Sequence, residues 1–542
     1  MSAPRSLPGS HSVRSMTSSV RRRRRPTAIV AVGIVAATVL SVSCTPPPTL
    51  PPDPPAPNPG PGPIGVAPPL NPYLADSPWP IAHRNSYQQD STDLPGPTRS
   101  TPLTIDRFAA SPLAITLAYG PAYPDGSFPV WGSAVFGVFK AVQSPSGFRK
   151  IDETTIIPDL SGGLVNALSS AYALADIDGN FFAAGQRVIR RFHDAVAGDP
   201  SSKMAPATTF TIPESALAPG DVVAGLDLTY DGPLVLISQR GSILALNRDF
   251  TDLQSVALPG GEAVSNSIAT DEDGGIYVVT EHTMHRVHWT GTNLSLDATD
   301  GAWSVAYDGG PEIPAPGRIG TGSGTTPTLL GSGSNDKLVA IADGQDLMHI
   351  NVFWRGPIPV DWAGLPGHDR RFAADLPITF GDPEATRSVT EQSLTGSGYD
   401  LMAVSNAYGP PFDRATSDSQ LTTLFAMLFS GVAAVAPHGA QKFSWNPATN
   451  TLESAWSNTT VSCPNGIPSM STATGMAYCW GARDSSWTLE AIDWHTGASV
   501  FRRYIGPDSN DNSAYAGTEI GAFGAIATGT LGGVTALRTS GS

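Results

Sequence analysis

The chain has 542 residues and a formal net charge of −15, with 40% hydrophobic and 15% charged residues, 56 glycines, 50 prolines and three cysteines. So little charge, with five lysines among 32 basic residues, excludes coiled coils and long solvated helices. The seven arginines of residues 1–43 stand in a stretch without acids, which leaves 25 basic against 47 acidic residues in the rest. Such a body repels a phosphate backbone, and nucleic acid is not an expected partner.

The first element in chain order is an export signal. Five arginines, Arg21–Arg25, precede the uncharged Thr27–Ser43 and then Cys44, the order of a basic and an apolar region before a cleavage point. Leu40-Ser41-Val42-Ser43-Cys44 resembles a bacterial lipobox, with Ser41 where an aliphatic residue usually stands. That resemblance implies cleavage before Cys44 and lipidation of its thiol. An uncleaved anchor is the alternative, since 17 apolar residues are at the short limit for a span, and cleavage with release is a third. All three put the body outside the cytoplasm, and the first two hold it at the outer face of the membrane in the cell envelope.

Residues 45–72 contain 14 prolines in 28 positions. They predict a polyproline stalk with a reach of roughly 80–90 Å. The expected organisation is therefore 1–44 signal and lipobox, 45–76 Pro-rich linker and 77–542 body. With Cys44 assigned to lipid, Cys463 and Cys479 remain, and two cysteines in an exported body predict one disulfide. No CxxC spacing supports a zinc site.

From about residue 110 the pattern is short apolar runs broken by tight turns. Asp178-Gly179, Asp231-Gly232 and Asp273-Gly274 each sit between two such runs, 53 and 42 residues apart, and Asp-Gly is a strong hairpin signal. Less regular copies follow around Asp336, across Glu391–Ser405, at Pro468–Trp480 and at Ile520–Leu537. A hairpin recurring over this period predicts an all-β fold, a single β-propeller of about eight (or seven) four-stranded blades. Leu421–Ala436 breaks the pattern as a nearly uncharged insertion, expected to pack on the sixth blade or to form a lid.

One repeat is more specific. Trp487-Thr-Leu489-Glu-Ala491-Ile-Asp493-Trp-His-Thr496-Gly497 resembles the PQQ-type propeller repeat, whose Asp and Thr-Gly form a turn in the outer hairpin. Gly241–Asn247 and Phe443–Asn450 resemble degenerate copies, and Trp79-Pro80 is similar to the opening of PQQ-repeat proteins, which implies that this segment completes the closing blade. Quinoprotein dehydrogenases of that fold hold PQQ and calcium on the propeller axis beside a disulfide of adjacent cysteines. No two cysteines are adjacent here, so PQQ is not an expected cofactor.

A propeller brings the loops that lead into its innermost strands to one mouth of the channel. Those loops are polar here: Ser265-Asn266-Ser267, Thr325–Thr328, Thr390-Glu391-Gln392-Ser393 and Cys463–Gly466. Asn266, Thr326, Glu391, Gln392 and Asn465 are therefore the candidate mouth residues, with Glu391 the candidate acid, base or calcium ligand. Asp343-Gly344-Gln-Asp346 with His349 reads as an outer hairpin turn, and His282, His285 and His288 do not share one strand face. The reading is an exported, lipid-anchored, monomeric propeller that binds a protein, glycan or small ligand at the surface of a bacterial cell, or that serves as a scaffold there. The alternative is an enzyme using the mouth, either a calcium-assisted hydrolase or lactonase or a PQQ-type oxidoreductase.

Overall fold

In the computed structural model, which describes residues 67–157, 172–414 and 419–540, eight sheets follow one another along the chain, antiparallel except where Ser91–Thr92 adds in parallel to Ser469–Ser471. Their innermost strands are Ala114–Tyr119, Ala173–Ala175, Val223–Leu228, Ala269–Thr270, Thr328–Leu330, Thr395–Ser397, Ser469–Ser471 and Glu519–Ile520, numbered here as blades 1 to 8. Blade 8 packs back on blade 1, which closes the ring of a β-propeller. The lipobox with Cys44 and most of the Pro-rich tract lie outside the described residues.

The sequence pattern explains the blades. Each is covered on both faces by its neighbours, so its middle strands are apolar without alternation: Leu234–Ser238 (LVLIS) and Leu338–Ala342 (LVAIA) are buried throughout. The cores are layers between blades, as where Ile237 and Ile243 of blade 3 meet Val278 and Val287 of blade 4. The Asp-Gly pairs sit at the inner hairpins, with Gly179, Gly232 and Gly274 at positive φ. Blade 1 uses Asp125-Gly126 in the same place, with Gly126 at φ 82°.

The PQQ-type repeat forms the outer hairpin of blade 7. Asp493 Oδ1 accepts the N–H groups of His495 and Thr496, and Gly497 takes φ 73°. In the degenerate copy of blade 6, Asn450 replaces that glycine at φ 53°, a conformation Asn tolerates better than other side chains. The disulfide Cys463–Cys479 ties the loop leading into blade 7 to its second strand.

Three expectations are corrected. The strand that closes blade 8 is Leu103–Ala109, paired antiparallel with Gly533–Thr539, and not the Trp79-Pro80 segment. The channel takes that segment instead. Inner strands leave one edge of N–H groups facing the axis, and carbonyls of residues 79–92 accept from six of the eight. The donors are Tyr119 (to Trp79), Ala175 (to Pro80), Thr270 (to Ser86), Leu329 (to Tyr87), Gly396 (to Gln89) and Met470 (to Asp90), all at 2.7–2.9 Å. Integration begins earlier still, with Asn71 buried and Leu74 bridged to Asp176.

The second correction is the Asp343 turn, which joins the second and third strands of blade 5 and so is not an outer hairpin. The third concerns the insertion. Its helix, Ser419–Phe429, is apolar around most of its surface and finds cover beyond blade 6: Met427 packs with Ala514 and Leu531 of the blade 8 region.

Candidate functional site

Every blade contributes to one small cavity. Thr116, Tyr172, Ala224, Asn266, Gly324, Glu391 with Gln392 and Ser393, Ile467, and Tyr515 with Gly517 occupy equivalent stations at the start of the eight innermost strands. Ala82 and His83 of the channel segment also line it, and the volume is about 100 Å³. The inserted helix is tied across the loops around this end. Thr423 Oγ1 donates to Arg318 O and accepts the Gly317 N–H, both at 3.1 Å, while Met427 O accepts from Asn465 and Asn512. These bonds tie it to the loops before blades 5, 7 and 8.

Glu391 is buried against this cavity. Its Oε1 accepts the Ile319 N–H at 2.8 Å, Arg318 Nε stands 3.8 Å from Oε2, and Oε2 has no hydrogen-bond partner. Burial outweighs the Arg318 charge and pushes the carboxyl up to about 7. A glycine at 324 is required by close approach: a Cβ there would lie 2.3 Å from Glu391 Oε2.

The five sequence-derived residues do not all converge. Asn266, Glu391 and Gln392 line the cavity. Thr326 is buried outside the lining, and its N–H donates to Ser393 Oγ at 3.2 Å. Asn465 is turned toward the helix, where its Nδ2 lies 3.1 Å from Met427 O and 2.7 Å from both Ser430 Oγ and Asn512 Oδ1, three acceptors that share its two hydrogens. Carbonyls in a helix's last turn need outside donors, and that need is what takes Asn465 away from the mouth.

The channel segment adds groups that the sequence reading did not assign. His83 Nδ1 is 2.8 Å from Asp90 Oδ2, with both side chains 1% exposed, and His83 Nε2 is 3.4 Å from Ser393 Oγ. Asp90, at φ 55°, and Arg84 and Gln88, also at positive φ, wind the segment around the axis. Asp227 accepts from Ser86 Oγ and Gln88 Nε2, and burial pushes its carboxyl up to about 8. Glu519 accepts the Leu117 N–H at 3.1 Å, and burial raises it well above the usual range. The available signal was the run His83-Arg-Asn-Ser-Tyr-Gln-Gln-Asp90, eight residues with seven polar or charged members and no Gly or Pro to make it a surface turn.

One cluster outside the cavity lining groups Asp343, His349 and Asp375, with ligand atoms within 4.8 Å. Asp343 Oδ1 accepts the N–H groups of Gln345 and His349, which is the clasp of a hairpin turn.

No family model matches the chain. The fold is similar to that of quinohemoprotein alcohol dehydrogenase from Comamonas testosteroni, at TM-score 0.50 and 12% identity over 87% of this chain and 81% of that one. A europium-containing methanol dehydrogenase aligns at TM-score 0.49 and 10% identity, over 84% and 90%. In sequence, the chain is 37% identical over 480 residues to an uncharacterized protein of Archaeoglobus fulgidus, spanning 88% of this chain and 90% of that protein. The chain therefore belongs to the family of that A. fulgidus protein, and its fold is that of the PQQ-type β-propellers.

Proposed function

We propose that this protein is an exported, lipid-anchored propeller that binds a small polar ligand in the cavity on its axis. The observation that carries the reading is Glu391: a buried acid facing a cavity with one oxygen unpartnered, which a folded protein tolerates at a cost unless a ligand completes it. The arginine run, the lipobox-like stretch before Cys44 and the disulfide support export.

PQQ is left out of this proposal. Cofactor pockets span about 300–1,000 Å³, whereas this cavity is about 100 Å³ and has the channel segment as part of its wall. Calcium remains a candidate occupant, since Glu391 Oε2 and Gln392 Oε1 are unpartnered oxygens of the kind it takes. The ion would supply positive charge beside a bound carbonyl or carboxylate.

The test is thermal unfolding of the chain from residue 67 onward with Ca²⁺ and with a panel of short carboxylic acids, amides and esters. A midpoint rise in the parent that Glu391→Gln abolishes is expected. No shift with any of these would overturn the proposal. For the anchor, Cys44→Ser should move the full-length protein out of the lipid-modified fraction.

A further inference from the structure

We infer that Ser393, His83 and Asp90 form an acyl-transfer relay in this cavity, and that the ligand class is a short-chain carboxylic ester. The inference rests on the cavity being a ligand site. Three side chains from two distant parts of the sequence meet in the order that nucleophilic catalysis needs: hydroxyl, imidazole, carboxylate. With Asp90 ionised, its Oδ2 at 2.8 Å accepts a proton held on His83 Nδ1, and the Nε2 lone pair then faces Ser393 Oγ at 3.4 Å. That distance is long for a made hydrogen bond and ordinary for an unliganded nucleophile and base. Ser393 Oγ already accepts the Thr326 N–H at 3.2 Å, so its own proton is free for His83. Ser393 and His83 both line the cavity, where an acyl carbonyl would sit.

The Asp90 N–H also donates to His83 O at 3.0 Å, so the pair closes the loop of the channel segment; that clasp does not require His83 Nε2 to face a hydroxyl in the cavity. A buried His–Asp pair in a channel is costly, and it is held by a segment with three non-glycine residues at positive φ within seven positions. Asp90 Oδ1 is left without a partner. Cavity volume sets the acyl group. An apolar cavity of about 150 Å³ holds a benzene, so about 100 Å³ admits an acyl group of roughly four heavy atoms.

The chemistry balances with water as the second reactant. Ser393 Oγ bonds to the ester carbonyl carbon while its proton passes to His83 Nε2. The bond to the alkoxy group then breaks, and His83 returns that proton to the leaving alcohol. Water adds to the acyl-serine while His83 Nε2 takes one of its protons; the acyl–Oγ bond then breaks as His83 gives that proton to Ser393 Oγ, which releases the carboxylic acid and restores the hydroxyl and the neutral imidazole. Glu391, lining the same cavity with an unpartnered Oε2, is in its protonated form a donor for the carbonyl oxygen during both steps.

Methanesulfonyl fluoride, small enough for the cavity, tests the nucleophile by intact-mass and peptide analysis of the chain from residue 67 onward. One methanesulfonyl group on Ser393 is expected, absent in Ser393→Ala and slowed about 100-fold or more in His83→Gln. Hydrolysis of p-nitrophenyl acetate should fall in parallel, and the folded state of each variant is checked by its thermal midpoint. Ser393→Cys provides a second readout, as alkylation by iodoacetamide at residue 393 that depends on His83. Modification elsewhere, or none in parent and Ser393→Cys alike, overturns the relay. If a ligand shift abolished by Glu391→Gln persists in that case, the relay has failed while the binding proposal stands.

Discussion

Arg355 and Asp271 join blades 5 and 4 through a fully enclosed ion pair, Nη1 to Oδ2 at 2.6 Å, with side-chain exposures of 0% and 2%. The same guanidinium donates from Nη2 to Tyr87 OH at 2.8 Å and lies 4.7 Å from the Tyr87 ring, so it also clamps the channel segment. Burial works against the Asp271 charge, yet Arg355 and Arg286 hold its carboxyl below the usual range. Removing one partner strands a charge in the interior. Arg355→Met should therefore cost about 3–5 kcal/mol in denaturant unfolding, and adding Asp271→Asn should recover a large part of it.

Glu391 and Asp227 predict an inverted pH profile. Both carboxyls are raised, to about 7 and about 8, so between the ordinary carboxylate range and those values the folded state binds more protons than the unfolded chain. On their account stability should be full below about pH 4 and fall as pH rises to 8, by about 3 kcal/mol for Glu391 alone. Glu391→Gln and Asp227→Asn should each flatten the decline in thermal midpoints measured from pH 5 to 8.

The disulfide closes a loop of 16 residues. Cys463→Ser should destabilise the protein by about 3 kcal/mol, with Cys479→Ser matching it and the double variant costing no more than either. Because Gln392 Nε2 donates to Cys463 O at 3.0 Å, reduction should also weaken whatever binds beside Gln392, which ligand titration with and without reductant would detect.

The channel segment makes the position of truncation decisive. A chain beginning at Ala67 keeps the six backbone bonds to the inner strands; one beginning at Pro97 loses them and strands six N–H groups. At about 1 kcal/mol net per bond, the shorter chain should lose several kcal/mol or fail to fold. Comparing thermal midpoints of the two checks this.

Particular residues show where sequence reading succeeded and where it stopped. Gly179, Gly232 and Gly274 were legible because a tight hairpin imposes left-handed backbone locally, whatever the surroundings. Glu391 was legible once the repeat was recognised, since equivalent positions in a ring converge by geometry. His83 and Asp90 were not: the segment that carries them pairs with strand edges 40 to 380 residues away, from Trp79 with Tyr119 to Asp90 with Met470, and nothing local distinguishes a channel lining from a closing strand. Asn465 had the right station, but a helix inserted after blade 6's second strand took its side chain.

The location of residues 79–92 also has a consequence for biogenesis. The first folded part of the chain to leave the ribosome is the part that ends up innermost, and the seam between Leu103–Ala109 and Gly533–Thr539 can form only after the last blade has been delivered. The ring must therefore assemble around its own beginning, as a cast sets around a core. Folding that waits for the final strand, with the channel segment held in place as successive blades pack around it, fits the wiring of this propeller.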